Sequence, residues 1–281
     1  MKNKIKKRLV KLNAFLESDK KPGIKEIHAL RLEIKHLEAF LELMVIQNDF
    51  GARPEVPDRL EKLFHETGKV RKLGLEKKAI ESISDHNRLS EPRLFLKQLK
   101  ISEKKSDKKL RKKQKRYPAF KPGDFAKNPG VSLSSDTWRD FMAARASSLS
   151  DLLKQDILAD IRSLHQLRKI LKSIVYILPV CKKGVKPVRS FLKTRKRFIE
   201  SVESKIGSMH DTDFFVRWLE KKHDLIDAGE EASLKKIKRE WHHDMVVMRK
   251  DLKPLLPAVR QFALDLKDQS TVDRLQVTFD G

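Results

Sequence analysis

The sequence predicts an all-α protein built as two related halves of about four helices each, joined by a long connector. Three observations carry this reading. Nearly every long segment repeats its apolar residues at spacings of three and four, the mark of a buried helical stripe, and strand-like alternation is brief wherever it occurs. A short cationic pattern is written twice, and between its copies lies a stretch of sharply different composition.

The elements follow in order. Ile5, Leu9, Leu12 and Leu16 set out a first helix that ends ahead of "DKKPG", and Ile27, Leu30, Ile34, Leu37, Leu41 and Met44 set out a second. Leu60, Leu63, Phe64 and Val70 suggest a third. Residues 101–135 begin as a nearly continuous basic helix or a disordered run, then carry Pro118, Pro122, Gly123, Pro129 and Gly130, which would interrupt any helix repeatedly. We read this stretch as a connector between residues 1–100 and 136–281, either a solvated linker or a flexible arm that adds affinity for a polyanion. Helical patterning resumes at "SDTWRDF", with Ser135 or Asp136 as the cap, and reaches Pro179 and Gly184 in one or more helices. Pro187 starts a successor that runs to Gly207. Further helices are expected over about 211–227, 230–251 and 254–268, leaving "STVDRLQVTFDG" as a loop or one weak strand.

Composition narrows the partners. A chain of 281 residues buries a substantial core without a metal or disulfide. Its one cysteine, Cys181, excludes an intramolecular disulfide and a zinc site of several thiolates, which fits a reducing compartment. Charges interrupt every apolar stretch, including "IKKRLVKLNAFL" after Met1, so neither a signal peptide nor membrane insertion is expected, and the protein reads as soluble and cytoplasmic. With 63 Lys plus Arg against 39 Asp plus Glu, a net charge of +24 favours anionic partners: nucleic acid, an anionic membrane surface, or inorganic and organic polyanions.

The repeated pattern is a cationic comb. His28, Arg31 and Lys35 occur in "EIHALRLEIKHLEAFLEL", and His165, Arg168 and Lys172 occur at the same offsets in "SLHQLRKILKSIVYIL". On a helix turning about 100 degrees per residue, each comb forms a second stripe beside the apolar one, and Tyr176 extends the second copy. Packing of the apolar face then steadies the stems of the cations while their heads line a groove, which lowers the ordering cost of binding. Residues 28 to 35 span roughly 10 Å, enough for several consecutive anionic groups. Arginine forms paired hydrogen bonds to phosphate oxygens, lysine supplies a mobile point charge, and histidine adds charge as pH falls. Gly68 and Gly207 follow the two combs at nearly equal intervals, both at expected helix or turn boundaries, which supports an internal duplication. Duplication could equally have preserved a packing arrangement.

At these residues the sequence resembles the CHAD family, the conserved histidine α-helical domain. "IHALRLEIKHLEAFL" and "LHQLRKILKSIVYIL" look like that family's two His-x-x-Arg helices, and "GKVRKLG" and "GSMHDTD" resemble its glycine-containing turns. The resemblance covers about residues 3–268. It implies two pseudo-symmetric helical bundles packed around a basic groove or cavity, and binding of inorganic polyphosphate. Under it His28, Arg31 and Lys35 match basic positions of the first of these helices, and His165, Arg168, Lys172 and Tyr176 match the second. Lys72 and Gly74 stand where the second half has Asp211 and Asp213, and Ser173 and Val175 replace basic positions, so the halves are expected to contribute unequally. Other groove candidates are Arg189, Lys193, Lys196 and Arg197, whose alternative is a solvated basic face. Lys69, Arg71 and Lys72 would complete the first-half surface. Asp211 is expected to hold a basic residue in orientation.

Enzyme patterns do not assemble. "HETGK" lacks the second histidine of a zinc-protease helix, the adjacent His242 and His243 diverge on a helix, and no glycine-rich nucleotide loop precedes a Lys-Ser/Thr pair. The expectation is a noncatalytic module without cofactor or metal, binding linear polyphosphate for targeting to phosphate-rich granules or for regulating a polyphosphate-metabolising enzyme. The alternatives are a nucleic-acid-binding protein and a structural helical adaptor for acidic proteins.

Overall fold

The structure, a computed structural model, describes residues 2–47, 56–86, 91–125, 134–179, 186–221 and 229–277. Among these residues the regular structure is helical and includes no strand. The α-helices are α1 (Lys2–Glu17), α2 (Ile24–Gln47), α3 (Asp58–His86), α4 (Arg93–Gln114), α5 (Ser135–Leu153), α6 (Ile161–Ile177), α7 (Lys186–Lys221), α8 (Glu231–Leu252) and α9 (Leu256–Val277).

Local chemistry explains several boundaries. The Ser134 hydroxyl caps α5 by accepting from the Thr137 N–H at 3.1 Å, so the cap is neither Ser135 nor Asp136 but the residue before them. Asp160 caps α6, its carboxylate accepting from the N–H groups of Arg162 and Ser163 at 3.0 and 3.2 Å. The first turn of α4 is capped from a distance, with the Glu230 carboxylate accepting from the N–H groups of Leu94 and Phe95 at 2.7 and 3.0 Å. Pro254, lacking an N–H, sits in a 3-10 turn (Lys253–Leu255) that leads from α8 directly into α9.

Three sequence expectations change. Gly68 and Gly207 lie inside α3 and α7 instead of ending helices. Consequently residues 186–207 and 211–221 form one helix of 36 residues, about 54 Å long. The tail through Val277 belongs to α9 and is neither loop nor strand. At Gly68 and Gly207 tertiary packing overrides a weak local stop signal.

The stretch 101–135 enters the fold at several points. Residues 101–114 complete α4, where Leu110 is fully buried. Gln114 donates to the carbonyls of Phe15 and Ser18 at the end of α1, and Asn13 makes reciprocal bonds with the Phe120 backbone at 3.0 and 2.8 Å. Phe120 and Phe125 are buried in the main core. Pro129, Gly130 and Gly184 lie outside the described residues.

Two hydrophobic clusters hold the helices together. The larger joins α1, α2, α5, α6 and α9 with the N-terminal parts of α3 and α7. The smaller joins the C-terminal part of α3, the start of α4, the end of α7 and α8, around Phe95, Trp218 and Trp241. Both clusters therefore mix residues from before and after the connector. The apolar stripes beside the combs are anchored in the larger cluster: Ile27, Leu30, Ile34 and Leu37 on α2, and Leu164, Leu167, Leu171 and Ile174 on α6, are all at most 4% exposed. At about 1.5–3 kcal/mol for each fully buried side chain, this packing fixes the rotation of both helices. A Leu167→Ala cavity would cost about 2–5 kcal/mol. Helix α2 packs on α3, α5 and α6; α6 packs on α7; and α3 packs on α4 and α8.

Candidate functional site

The direct packing of α2 on α6 brings the two combs together. His36, adjacent to Lys35, places Nδ1 3.0 Å from the Tyr176 carbonyl, and its ring meets the Tyr176 ring edge-on with centroids 5.1 Å apart. Arg71 of α3 is the common neighbour. It acts electrostatically on His28 and Arg31 from the first comb and on Lys172 and Tyr176 from the second, while Lys172 acts on His28 directly. The Arg71 side chain makes no hydrogen bond or ion pair among the described residues.

Each comb arginine rests on a glycine. A Cβ at Gly68 would meet Arg31 Nη1 at 2.8 Å, and a Cβ at Gly207 would meet Arg168 Nη2 at 2.7 Å. A Cβ at either of these helix-interior positions would crowd the guanidinium, whose end would have to shift. The glycines thus serve close side-chain approach, and no turn is involved.

The two seats differ in chemistry. Arg31 donates to the Phe64 carbonyl, lies 3.5 Å from Thr67 Oγ1 and stacks over the Phe64 ring at 3.7 Å. Burial, reinforced by Arg71, pushes its pKa down to about 10, which leaves it fully charged at neutral pH. Arg168 donates Nε to Glu203 at 2.7 Å, and the same carboxylate oxygen accepts from Lys172 at 2.9 Å. Burial lowers the Lys172 pKa, opposed by its bond to Glu203. Lys35 pairs with Glu38 at 2.6 Å and stands over the Phe64 ring at 4.5 Å. Five cations (Arg31, Lys35, Arg71, Arg168 and Lys172) therefore surround two carboxylates (Glu38 and Glu203), a local excess of positive charge with the histidines neutral.

A histidine stack borders this cluster. The rings of His165 and His210 are 4.3 Å apart and inclined by 23 degrees, and the Nδ1 atoms of both are buried without a protein hydrogen bond. Asp211 Oδ1 lies 3.6 Å from His210 Nδ1, so this carboxylate faces a histidine and not a comb cation. Burial, then His210 and the cations Lys169, Arg168 and Lys172, push the His165 pKa down to about 4. Burial also lowers the His28 pKa, together with Arg71, Lys172 and Arg31.

Other sequence candidates lie farther out. Lys69 and Lys72 line a cleft of about 330 Å³ between α3, α4 and α7; Lys69 pairs with Glu66 at 3.2 Å and Lys72 stands over the Phe214 ring at 3.7 Å. Arg189, Lys193 and Lys196 share the α7 face that carries Glu203 and Gly207, but precede them along the helix. Arg189 is half-buried, Lys193, Lys196 and Arg197 are exposed, and Lys196 pairs with Glu200 at 3.5 Å. None of the four bonds to a comb residue. Sequence reasoning missed Glu38, Glu203, His210 and Phe64 as members of the site. His210 was visible only as part of "GSMHDTD".

Among the described residues no three His, Cys, Asp or Glu side chains gather as metal ligands, and no helix is long and apolar enough to cross a membrane. No protein family, curated protein or solved structure matches the chain.

Proposed function

We propose that this chain is a CHAD-like binding module for linear inorganic polyphosphate, and that the groove between the α2 and α6 combs is its site. The observation that carries the reading is the meeting of both combs around Arg71, with Arg31 and Arg168 each seated on a helix-interior glycine. Such cations are held before the ligand arrives, so less side-chain freedom is lost on binding. In this reading α2, α3 and α4 correspond to α6, α7 and α8, and the two helical sets form pseudo-symmetric walls of one basic groove.

Phosphate oxygens would take paired bonds from the arginines and single bonds from Lys35, Lys172 and the histidines. The polymer's advantage over a short anion is the number of cations it reaches at once. The module would serve targeting to phosphate-rich granules or regulation of a polyphosphate-metabolising enzyme in the cytoplasm. The nucleic-acid alternative is less well supported, because Trp138, Trp218 and Trp241 are buried at 1%, 9% and 4% exposure and offer no stacking platform.

Competition calorimetry with polyphosphate, RNA and duplex DNA at about 50 and 200 mM salt tests the proposal. Preference for polyphosphate at both salts is expected. Equal, salt-sensitive binding to all three would leave a nonspecific polyanion surface, and no binding to any would favour the structural adaptor.

A further inference from the structure

We propose that the basic cleft on α4 is an outer subsite for the same polyanion, so that the protein discriminates by polymer length; this rests on the polyphosphate reading of the central groove. The cleft, about 370 Å³, has Lys21 of the α1–α2 turn on one wall and Lys104, Lys108, Arg111 and Lys112 of α4, with the capping Lys115, on the other. On the helix these α4 cations fall within about 100 degrees of one another and extend over roughly 16 Å, so they form one continuous ridge.

The cleft differs from an ordinary solvated charge run in how its charges are used. Asp107, only 6% exposed, pairs with Lys21, and the bond raises the Lys21 pKa. Arg111 donates to the Asp19 carbonyl at 3.2 Å, and Lys115 lies 3.5 Å from the Asp19 carboxylate. The turn is thereby tied to the helix, with Asp107 and Asp19 engaged in doing so, while Glu103 adds a further negative charge felt by Lys21. The side chains of Lys104, Lys108 and Lys112 make no hydrogen bond or ion pair among the described residues. A row of unpaired cations on a braced wall is suited to successive phosphates, while the cleft has no aromatic lining to stack a base.

Glu66 ties the helix that carries the ridge to the helix that borders the groove. Glu66, 4% exposed, accepts from Lys113 at 2.8 Å and from Lys69 at 3.2 Å. Lys113 follows Lys112 on α4, and Lys69 follows Gly68, on which Arg31 rests. α3 thus lies between the groove and the ridge, and in this proposal a long polymer crosses it to reach the ridge while a short anion does not.

The test compares the full chain with Lys104→Gln/Lys108→Gln/Lys112→Gln, glutamine being chosen to keep helix propensity, and with Arg31→Gln/Arg168→Gln. Helicity is checked by circular dichroism, and calorimetry uses tripolyphosphate and long-chain polyphosphate over a salt series. The ridge variant is expected to lose about tenfold or more in long-chain affinity at about 50 mM salt, to lower the log-log salt slope by about three, and to bind tripolyphosphate as before. The triple Lys→Arg variant should retain long-chain binding. Wild-type long-chain affinity and salt slope in the folded glutamine variant would overturn the outer subsite. A loss confined to the ridge variant, with Arg31→Gln/Arg168→Gln unaffected, would overturn the groove reading while leaving the ridge as a polyanion site. A wild-type preference for duplex DNA, abolished in the ridge variant, would overturn the shared ligand.

Discussion

Gly68→Ala and Gly207→Ala should weaken polyphosphate binding without unfolding the helices that carry them. Ordinary contact with a Cβ begins near 3.4 Å, so Arg31 Nη1 must retreat by about 0.6 Å from its 2.8 Å position, and Arg168 Nη2 by about 0.7 Å from 2.7 Å. At Gly68 only the tip of the guanidinium is crowded, since Cζ and Nη2 already stand at 3.5 and 3.6 Å. At Gly207 the whole group is crowded, with Cζ at 3.0 Å and Nε at 3.2 Å. A shift of that size directed away from Glu203 would stretch the 2.7 Å Nε bond past good hydrogen-bond length. Alanine in a helix interior contributes about 1 kcal/mol relative to glycine, which offsets part of the displacement cost. Each charge-assisted bond lost to the ligand costs about 1.5–3 kcal/mol, so affinity should fall roughly ten- to a hundredfold, more at Gly207 than at Gly68. Calorimetry beside thermal melts measures both sides. If both alanine variants bind as wild type while Arg31→Ala and Arg168→Ala do not, the glycine seats are irrelevant to presentation. If Gly68→Ala instead melts several degrees lower, the glycine serves the backbone and the argument from the guanidinium fails.

Joint replacement of His28, Arg31, His165 and Arg168 by glutamine should reduce polyphosphate affinity by about a hundredfold or more while circular dichroism stays unchanged; undiminished binding by the folded variant would move the site elsewhere. His165, held to about 4 among His210, Lys169, Arg168 and Lys172 with Asp211 beyond, should remain neutral in the free protein from pH 8 to 6, and its titration should add little to affinity there. Because its unfolded value is near 6.5, the unfolded state takes up a proton between about pH 6.5 and 4 that the folded state refuses, so stability contributed by neutral His165 falls as pH falls. Urea unfolding of wild type and His165→Gln at about pH 7 and 5 checks this, and equal acid sensitivity in the two proteins would refute it. Glu203→Gln removes the carboxylate shared by Arg168 and Lys172 and should cost about 1–3 kcal/mol of folding stability while raising polyphosphate affinity severalfold. Weaker binding by that variant, measured by the same titration, would mean that Glu203 orients the cations more than it competes with the ligand.

The helical class and the comb faces were legible because both depend on a periodicity of 3.6, and Ile27 to Leu37 and Leu164 to Ile174 are buried as that periodicity requires. The glycine seats were not legible. Gly68 and Gly207 carry poor helix propensity, so local reasoning made them boundaries, whereas a distant arginine occupies the space that a Cβ would need. Lys69, Arg71 and Lys72 looked like one basic surface, yet neighbouring helix residues point about 100 degrees apart, and only Arg71 joins the electrostatic surroundings of the combs. Glu203 gave no signal because a half-buried acid and a solvated one read alike in sequence, and Glu38 was visible only as an acid where the resemblance implies more arginine. The basic run at 104–115 had the opposite difficulty: its charge was evident, but the wall supplied by Lys21 and the engagement of Asp107 appear only when the α1–α2 turn meets α4.

The combs are alike in spacing and unlike in electrostatics, which divides their work within the proposed groove. Arg31 is held by a carbonyl, a hydroxyl and a ring face, so its positive charge is oriented without being neutralised. Arg168 and Lys172 share one carboxylate, and part of their field is cancelled before any ligand arrives. Arg71, without an ion pair among the described residues, acts on both sides. Attraction should therefore arise chiefly from Arg31 and Arg71, whereas Arg168 and Lys172 contribute geometry and exchange part of their bonding to Glu203 for bonding to phosphate. That division accounts for unequal halves without requiring either comb to be vestigial.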